Sequence, residues 1–216
     1  MKKKTTYIII DRSGSMSGAR GDAVNLAMQG VMRDVLPAVM TQKDAELEPY
    51  IAVLTYSSDG IDWYVPKARM EDVQGNWLAI DSAKFYGGTP TGEAIAKVIE
   101  NINQGEFGEP DPDAVPPAII LISDGMPNGL NPSYEDVMRR ADKEHPEYCP
   151  EFRHANRIAI GIQVDESGRN SLKAFGRVSS SIAQEGYEPY YDCTDDNLQA
   201  LVAIIKSATL GTTIHS

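Results

Sequence analysis

The chain has 216 residues, of which 42% are hydrophobic, and 31 acidic against 20 basic residues give it a formal net charge of −11. This length allows a domain with a sizeable core, and the apolar share excludes a disordered chain. The acidic balance argues against nucleic acid or an anionic membrane as a general partner, because phosphate binding requires a basic surface.

The first predicted elements are a buried strand and a long helix. Residues 5–11 (TTYIIID) form a short, β-branched run without alternation, which is typical of a strand buried on both faces. From Ala19 to about Gln42, apolar residues recur three and four positions apart, which predicts an amphipathic helix. Pro37 falls inside this pattern and predicts a kink or an early end of the helix.

A hairpin is predicted next. Residues 50–58 (YIAVLTYSS) and 61–65 (IDWYV) are both strand-like. Asp59-Gly60 lies between them and is a strong two-residue turn signal. This hairpin predicts the one antiparallel piece of the sheet.

The rest of the chain alternates strands and helices again. A glycine-rich turn opens a helix over 87–104, and a polar, proline-rich loop follows over 105–117. The later predictions are a strand over 118–125, a helix from about Tyr134 to Lys143, a strand over 157–165, a short helix over 170–179, a strand over 189–195 and a closing helix with an apolar stripe of Leu198, Leu201, Val202 and Ile205.

This alternation predicts an α/β fold. We expect a doubly wound, mostly parallel six-stranded sheet with one antiparallel edge strand and helices on both faces. The sequence contains no repeat and no linker-like segment. We therefore expect one domain over residues 1–216.

Three polar segments stand at predicted strand ends or strand-to-helix turns, where ligands bind in such folds. They are Asp11-x-Ser13-x-Ser15, Thr89-Pro90-Thr91 and Ser123-Asp124-Gly125. Their hydroxyl and carboxylate oxygens are hard ligands, suited to Mg²⁺, Mn²⁺ or Ca²⁺. The three histidines, His145, His154 and His215, lie outside these segments, and no Cys/His cluster competes for zinc.

Together these segments resemble the von Willebrand factor A (vWA) domain family, which is Rossmann-like in fold. The metal-ion-dependent adhesion site (MIDAS) of that family has a D-x-S-x-S…T…D signature, and the resemblance covers essentially the whole chain. It implies an intact MIDAS formed by Asp11, Ser13, Ser15, Thr89 and Asp124. By this resemblance, the two serines bind the cation directly through their hydroxyls, Thr89 is a third hydroxyl ligand that binds directly or through water, and both aspartates act mostly through water.

The choice of threonine stays open between Thr89 and Thr91. Thr89 follows the glycine pair, as in the family, and is preferred for that reason. Thr91 stands where the following helix needs an N-cap.

The resemblance implies a metal-dependent protein-binding module, not an enzyme. A divalent cation held largely by neutral hydroxyls favours an anionic ligand from outside, so a partner protein would present Asp or Glu to it. Mg²⁺ is expected, with Mn²⁺ or Ca²⁺ as alternatives. A narrower likeness to bacterial tellurium-resistance TerY-like proteins implies a role in a tellurium- or stress-resistance system, with kinase- or phosphatase-like partners.

Enzymatic alternatives fit the sequence less well. A Mg²⁺-dependent phosphoryl-transfer hydrolase could use Asp11 as its nucleophile, but dehalogenase-like enzymes need a second Asp where this chain has Ser13. A phosphate-binding P-loop would need Lys and Ser or Thr directly after Gly92, and neither is present. A vWA domain that binds partners without metal is a further alternative.

The sequence predicts a cytoplasmic protein. Only about four apolar residues follow the basic N-terminus before Asp11, too few for a signal peptide. No apolar run approaches the roughly 18 residues needed to cross a membrane. Cys149 and Cys193 lie far apart and in no metal-binding spacing, which favours reduced thiols.

Overall fold

The structure is a computed structural model, and it describes most of the chain. The described ranges are 1–42, 45–102, 104, 111–125, 127–128, 131–141, 149–193 and 198–214. Several predicted positions lie outside the described residues: His145, His215, Lys143 at the predicted end of a helix, 105–110 of the proline-rich loop and 194–195 of the late strand.

Six strands form one sheet in the order β3-β2-β1-β4-β5-β6. They are β1 (Lys2–Asp11), β2 (Leu47–Ser57), β3 (Gly60–Arg69), β4 (Ala118–Ser123), β5 (Asn156–Ile162) and β6 (Tyr190–Cys193). Neighbouring strands are parallel except β2 and β3, which pair antiparallel at one edge. The predicted α/β sheet with one antiparallel edge strand is confirmed.

Helices cover both faces of the sheet. They are α1 (Ala19–Gly30), α2 (Leu36–Gln42), α3 (Met70–Val73), α4 (Thr91–Ile102), α5 (Tyr134–Arg139), α6 (Pro150–His154), α7 (Glu166–Phe175), α8 (Ser180–Gln184) and α9 (Leu198–Ile214). Within the described ranges, no helix has both the length and the apolar character that crossing a bilayer requires.

The central strand β1 explains why its sequence does not alternate. Ile8 and Ile10 pack into a core cluster with α1, α2 and α9, whereas Tyr7 and Ile9 pack into a second cluster with α4 to α7. Both faces of β1 are therefore buried, and a strand in that position requires apolar side chains at successive positions.

The helix is irregular near Pro37, as predicted, but it does not end there. Residues Val31–Val35 form a π turn between α1 and α2, in which the Leu36 N–H donates to the Val31 carbonyl. Proline has no N–H for a regular helical hydrogen bond, and a π turn absorbs such an irregularity. The expectation of an early end is wrong, because helical structure continues to Gln42.

The predicted hairpin turn is displaced by one residue. Ser57 pairs with Gly60, so the two turn residues are Ser58 and Asp59 and not Asp59-Gly60. The Asp59 N–H donates to Ser57 Oγ at 3.2 Å, so a serine side chain stabilises the earlier turn.

Candidate metal site

The predicted site residues lie at the carboxyl edge of the sheet, around its two central strands. Asp11 ends β1, and Asp124 directly follows β4, its parallel neighbour. The chain leaves β1 toward α1 on one face and leaves β4 toward α5 on the other. The two strands therefore flank the topological switch point, where α/β folds bind their ligands.

Asp11 is fully buried and uses both carboxylate oxygens. Its Oδ1 accepts from the Ser13 N–H at 2.7 Å, and its Oδ2 accepts from Ser123 Oγ at 2.6 Å. Burial raises the pKa of Asp11 to about 6, although hydrogen bonds from Ser123 and Ser13 lower it in part. Asp11 thus fixes the start of the serine loop against the end of β4.

A chain of hydrogen bonds continues from that loop. Ser13 Oγ and Ser15 Oγ lie 3.1 Å apart, and Ser15 Oγ donates to Asp124 Oδ1 at 2.8 Å. The side chain of Asp124 is 0% exposed. The structure therefore brings four of the five predicted residues together in one connected set.

Thr89 reaches the same edge through backbone contacts. The Gly14 N–H donates to the Gly87 carbonyl at 2.9 Å, which holds the glycine-rich turn against the serine loop. The Thr89 N–H donates to Asn128 Oδ1 at 2.7 Å. Thr89 also lies beside Gly125, the residue after Asp124, because a Cβ built on Gly125 would lie 3.9 Å from Thr89 Oγ1, an ordinary contact distance.

Thr91 has a different environment. It is the first residue of α4 and not its N-cap, because the Ala94 N–H already donates to the Pro90 carbonyl. The predicted capping role is therefore wrong. The buried Thr91 hydroxyl lies 3.2 Å from the Tyr56 hydroxyl, in the interior beneath the edge.

Sequence reasoning missed Arg20. Its Nη1 donates to the Ser15 carbonyl at 3.0 Å and forms an ion pair with Asp124 Oδ2, and its Nε donates to Gln163 Oε1 at 2.6 Å. Arg20 stands in the first turn of α1, where a cation opposes the helix dipole. That unfavourable placement is the signal that could have identified it.

Ser123 is a further residue at this edge that the D-x-S-x-S…T…D signature does not contain. It belongs to the SDG segment, and only its contact with Asp11 across the two strands assigns its hydroxyl to the site.

The donor set fits a hard divalent cation. Three hydroxyls and two carboxylates supply oxygen ligands only, the type that Mg²⁺, Mn²⁺ and Ca²⁺ take. A cationic side chain already lies against the buried Asp124 carboxylate, so the edge attracts positive charge. In the part of the chain that the structure describes, no three His, Cys, Asp or Glu residues are grouped to hold a metal, so the hydroxyls are essential to any site here.

The sequence matches the family model of the von Willebrand factor type A domain over residues 6–203, and the chain belongs to this family. No curated protein matches the sequence.

Solved structures share the fold at low sequence identity. The ArnB paralog VWA2 from Sulfolobus acidocaldarius is 18% identical with a TM-score of 0.57, over 96% of this chain and 45% of that one. Proximal thread matrix protein 1 from the mussel byssus, with a zinc-occupied MIDAS motif, is 17% identical with a TM-score of 0.64, over 97% and 48%. The von Willebrand factor domain of the type V pili tip protein Mfa5 from Porphyromonas gingivalis is 14% identical with a TM-score of 0.57, over 96% and 94%. This chain thus spans under half the length of the first two proteins.

Proposed function

We propose that this protein is a metal-dependent binding module whose MIDAS consists of Asp11, Ser13, Ser15, Thr89 and Asp124. The observation that carries the proposal is the connected set of hydrogen bonds that runs from Asp11 through both serines to Asp124 at the switch point. Mg²⁺ is the proposed ion, with Mn²⁺ or Ca²⁺ as alternatives.

The residues divide into ligands and supports. The hydroxyls of Ser13 and Ser15 would hold the ion directly, and that of Thr89 would hold it directly or through water. Asp11 already accepts two hydrogen bonds, so its role is to orient the loop and to supply negative charge from beneath. When bound, the ion would supply a Lewis-acidic position for an oxygen ligand from outside the chain.

The proposed partner is a protein that presents an Asp or Glu side chain. Because the expected ligands include three neutral hydroxyls, an added carboxylate is electrostatically favoured at the ion. A recess of about 440 Å³ is lined in part by Pro90 and Asn128, which adjoin Thr89, and it offers room for a segment of the partner. The zinc-occupied MIDAS of the mussel protein supports a metal site in this fold and makes zinc an ion to include in titrations.

The biological setting that we propose follows the TerY-like resemblance. In that setting, the protein acts in the cytoplasm within a tellurium- or stress-resistance system and binds kinase- or phosphatase-like proteins. The acidic chain would meet an acidic partner surface only where the bound ion reverses the local charge.

A binding role is favoured over catalysis by Asp11. A nucleophilic carboxylate needs a free oxygen that can reach a substrate. Asp11 is 0% exposed, and the Ser13 N–H and the Ser123 hydroxyl engage its two oxygens. This geometry supports the proposal of a non-enzymatic module.

Titration calorimetry with Mg²⁺ and Mn²⁺ tests the metal site. Wild type should bind, Ser13→Ala should bind at least tenfold more weakly, and Ser17→Ala should match wild type because Ser17 is an exposed serine of the same loop. Circular dichroism checks that each variant is folded. Equal metal affinity in Ser13→Ala and wild type would contradict the assignment.

A pull-down from the native host tests the partner. We expect a protein to be captured in Mg²⁺, released by EDTA and missed by Ser13→Ala. If the partner is captured equally well in EDTA, the interaction does not depend on the metal. Hydrolysis of a phosphate ester by wild type would favour the enzymatic alternative.

A further inference from the structure

Arg20 lies against the same carboxylate that the proposed metal site uses. Asp124 has one oxygen on Ser15 Oγ and the other on the Arg20 guanidinium. The Asp124 side chain is 0% exposed, whereas that of Arg20 is 27% exposed. Buried charges are stable only when paired, so Arg20 provides the countercharge of Asp124 in the metal-free protein.

Two further groups hold the guanidinium in this position. The Ser15 carbonyl accepts from Nη1, and Gln163 Oε1 accepts from Nε. Gln163 follows β5 and has a φ of 54°, a left-handed conformation that residues with side chains seldom adopt. Gln163, at the end of a third strand, thus keeps the Arg20 guanidinium directed at Asp124. It does so although a cation in the first turn of α1 is unfavourable to the helix dipole.

From this arrangement we infer that Arg20 is a built-in competitor of the metal ion, a cation that neutralises Asp124 until the ion replaces it. The inference rests on the proposed metal site. An incoming divalent ion would meet a guanidinium of the same sign at Asp124, and like charges at one carboxylate oppose each other. Arg20 is partly exposed and can swing into solvent without crossing the core.

This competition sets how much metal the protein needs. Arg20 stabilises the metal-free site and so weakens apparent metal affinity, because the ion must first displace it. The site would then fill only above a threshold concentration, and it could empty again without leaving an unpaired buried carboxylate.

Metal titration of Arg20→Gln, compared with wild type and Arg33→Gln, tests the inference. Arg33 makes an exposed ion pair with Asp34 at 2.8 Å and provides a matched loss of charge. Arg20→Gln should bind Mg²⁺ about tenfold more tightly, the effect of one neighbouring charge on a titrating group. Arg33→Gln should stay close to wild type. Arg20→Lys keeps the charge but lacks the Nε contact with Gln163, so it should bind Mg²⁺ only about two- to threefold more tightly. Equal or weaker binding by Arg20→Gln would overturn the inference.

A second variant keeps the test decisive if Arg20→Gln does not fold. Gln163→Ala removes the acceptor of Arg20 Nε but leaves every charge in place, and it should raise Mg²⁺ affinity about two- to threefold by loosening the guanidinium. Unchanged affinity there would also count against competition. If wild type binds metal and Ser13→Ala does not, the proposed site stands whatever Arg20 does; if wild type binds no metal, both proposals fail.

Discussion

The side chains of Asp11 and Ser123 share a hydrogen bond of 2.6 Å, although 112 residues separate them along the chain. This contact joins the ends of β1 and β4 and places an ionisable carboxylate in the interior. Burial raises the pKa of Asp11 from 3.8 to about 6. An ionised Asp11 is therefore a source of instability at neutral pH.

Asp11→Asn should stabilise the metal-free protein at pH 7. Because the pKa is raised on folding, the stability that Asp11 contributes is present at low pH and is lost as pH rises through about 6. The amide avoids this loss, so the free energy of unfolding should rise by up to about 3 kcal/mol at pH 7 and by almost nothing below pH 4. Urea unfolding in the presence of EDTA measures this free energy of unfolding for both proteins at each pH.

Asp11→Asn should also no longer bind Mg²⁺. The Asp11 charge would then lower the stability of the metal-free protein and be needed for metal binding. Asp22→Asn, at an exposed position in the first turn of α1, is the matched control; it should bind Mg²⁺ like wild type and lose at most about 1 kcal/mol of stability, the contribution of an acid to the helix dipole. If Asp11→Asn were less stable than wild type at pH 7, the buried charge of Asp11 would not be the main source of instability at this position.

Lys4→Met should stabilise the protein below pH 8. Lys4 is 0% exposed, its Nζ has no hydrogen-bond partner among the described residues, and burial lowers its pKa to about 8. The unfolded chain binds this proton up to about pH 10.5, so the cost of burying the charge is present at pH 7 and disappears as pH rises from about 8 to 10.5.

The expected gain from Lys4→Met is about 3 kcal/mol at pH 7, and it should shrink toward pH 10.5. Thermal unfolding over this pH range gives the comparison. Lys2→Met, on the same strand but exposed, should show no such trend. A gain that does not depend on pH would point to packing and not to charge.

Gly92→Ala should destabilise the contact between α4 and α5. A Cβ at this position would lie 2.5 Å from the Pro132 carbonyl oxygen and 2.6 Å from the Tyr134 nitrogen, both backbone atoms. We expect a loss of about 1–3 kcal/mol, as for other overpacked sites. Gly125→Ala, whose Cβ would meet only Thr89 Oγ1 at 3.9 Å, should unfold like wild type in denaturant; equal stability of both variants would refute the close packing.

Asn25→Ala should release the segment around Ile80. The Asn25 amide accepts from the Ile80 N–H at 2.7 Å, donates to the Ile80 carbonyl at 3.0 Å and accepts from Trp77 Nε1 at 3.4 Å. Loss of these bonds should cost about 1–3 kcal/mol and shift the tryptophan emission. Gln29→Ala, at an exposed site one turn on, is the control; unchanged emission in Asn25→Ala would contradict the assigned contact.

Sequence patterns predicted the fold well because its main signals are local. Residues 7–10 are apolar at successive positions because β1 is buried on both faces. The hairpin, the parallel strands and the major helices each carry their own periodicity. The edge position of the candidate site follows from Asp11 and Asp124, because both stand at ends of strands that belong to a parallel sheet.

The remaining features depend on contacts between distant segments. Nothing next to Arg20 in sequence specifies Gln163 or Asp124 as its partners. The sequence around Thr91 is typical of an N-cap, but in the structure the Pro90 carbonyl accepts the first helical hydrogen bond of α4. The turn at Ser58 differs from its prediction by one residue, because the register of β2 against β3 decides it and the Asp-Gly pair does not.

The position of β1 at the centre of the sheet has a consequence for synthesis. This strand leaves the ribosome before the other five strands of the sheet, and its partner β4 is completed only about 112 residues later, as the Asp11–Ser123 separation shows. At roughly 5–20 residues per second, the interval is about 6–22 s. During that time the isoleucine-rich strand has one edge that this chain cannot yet pair, and such edges recruit other chains. Until β4 has emerged, that edge of β1 is therefore a site where the nascent protein can aggregate.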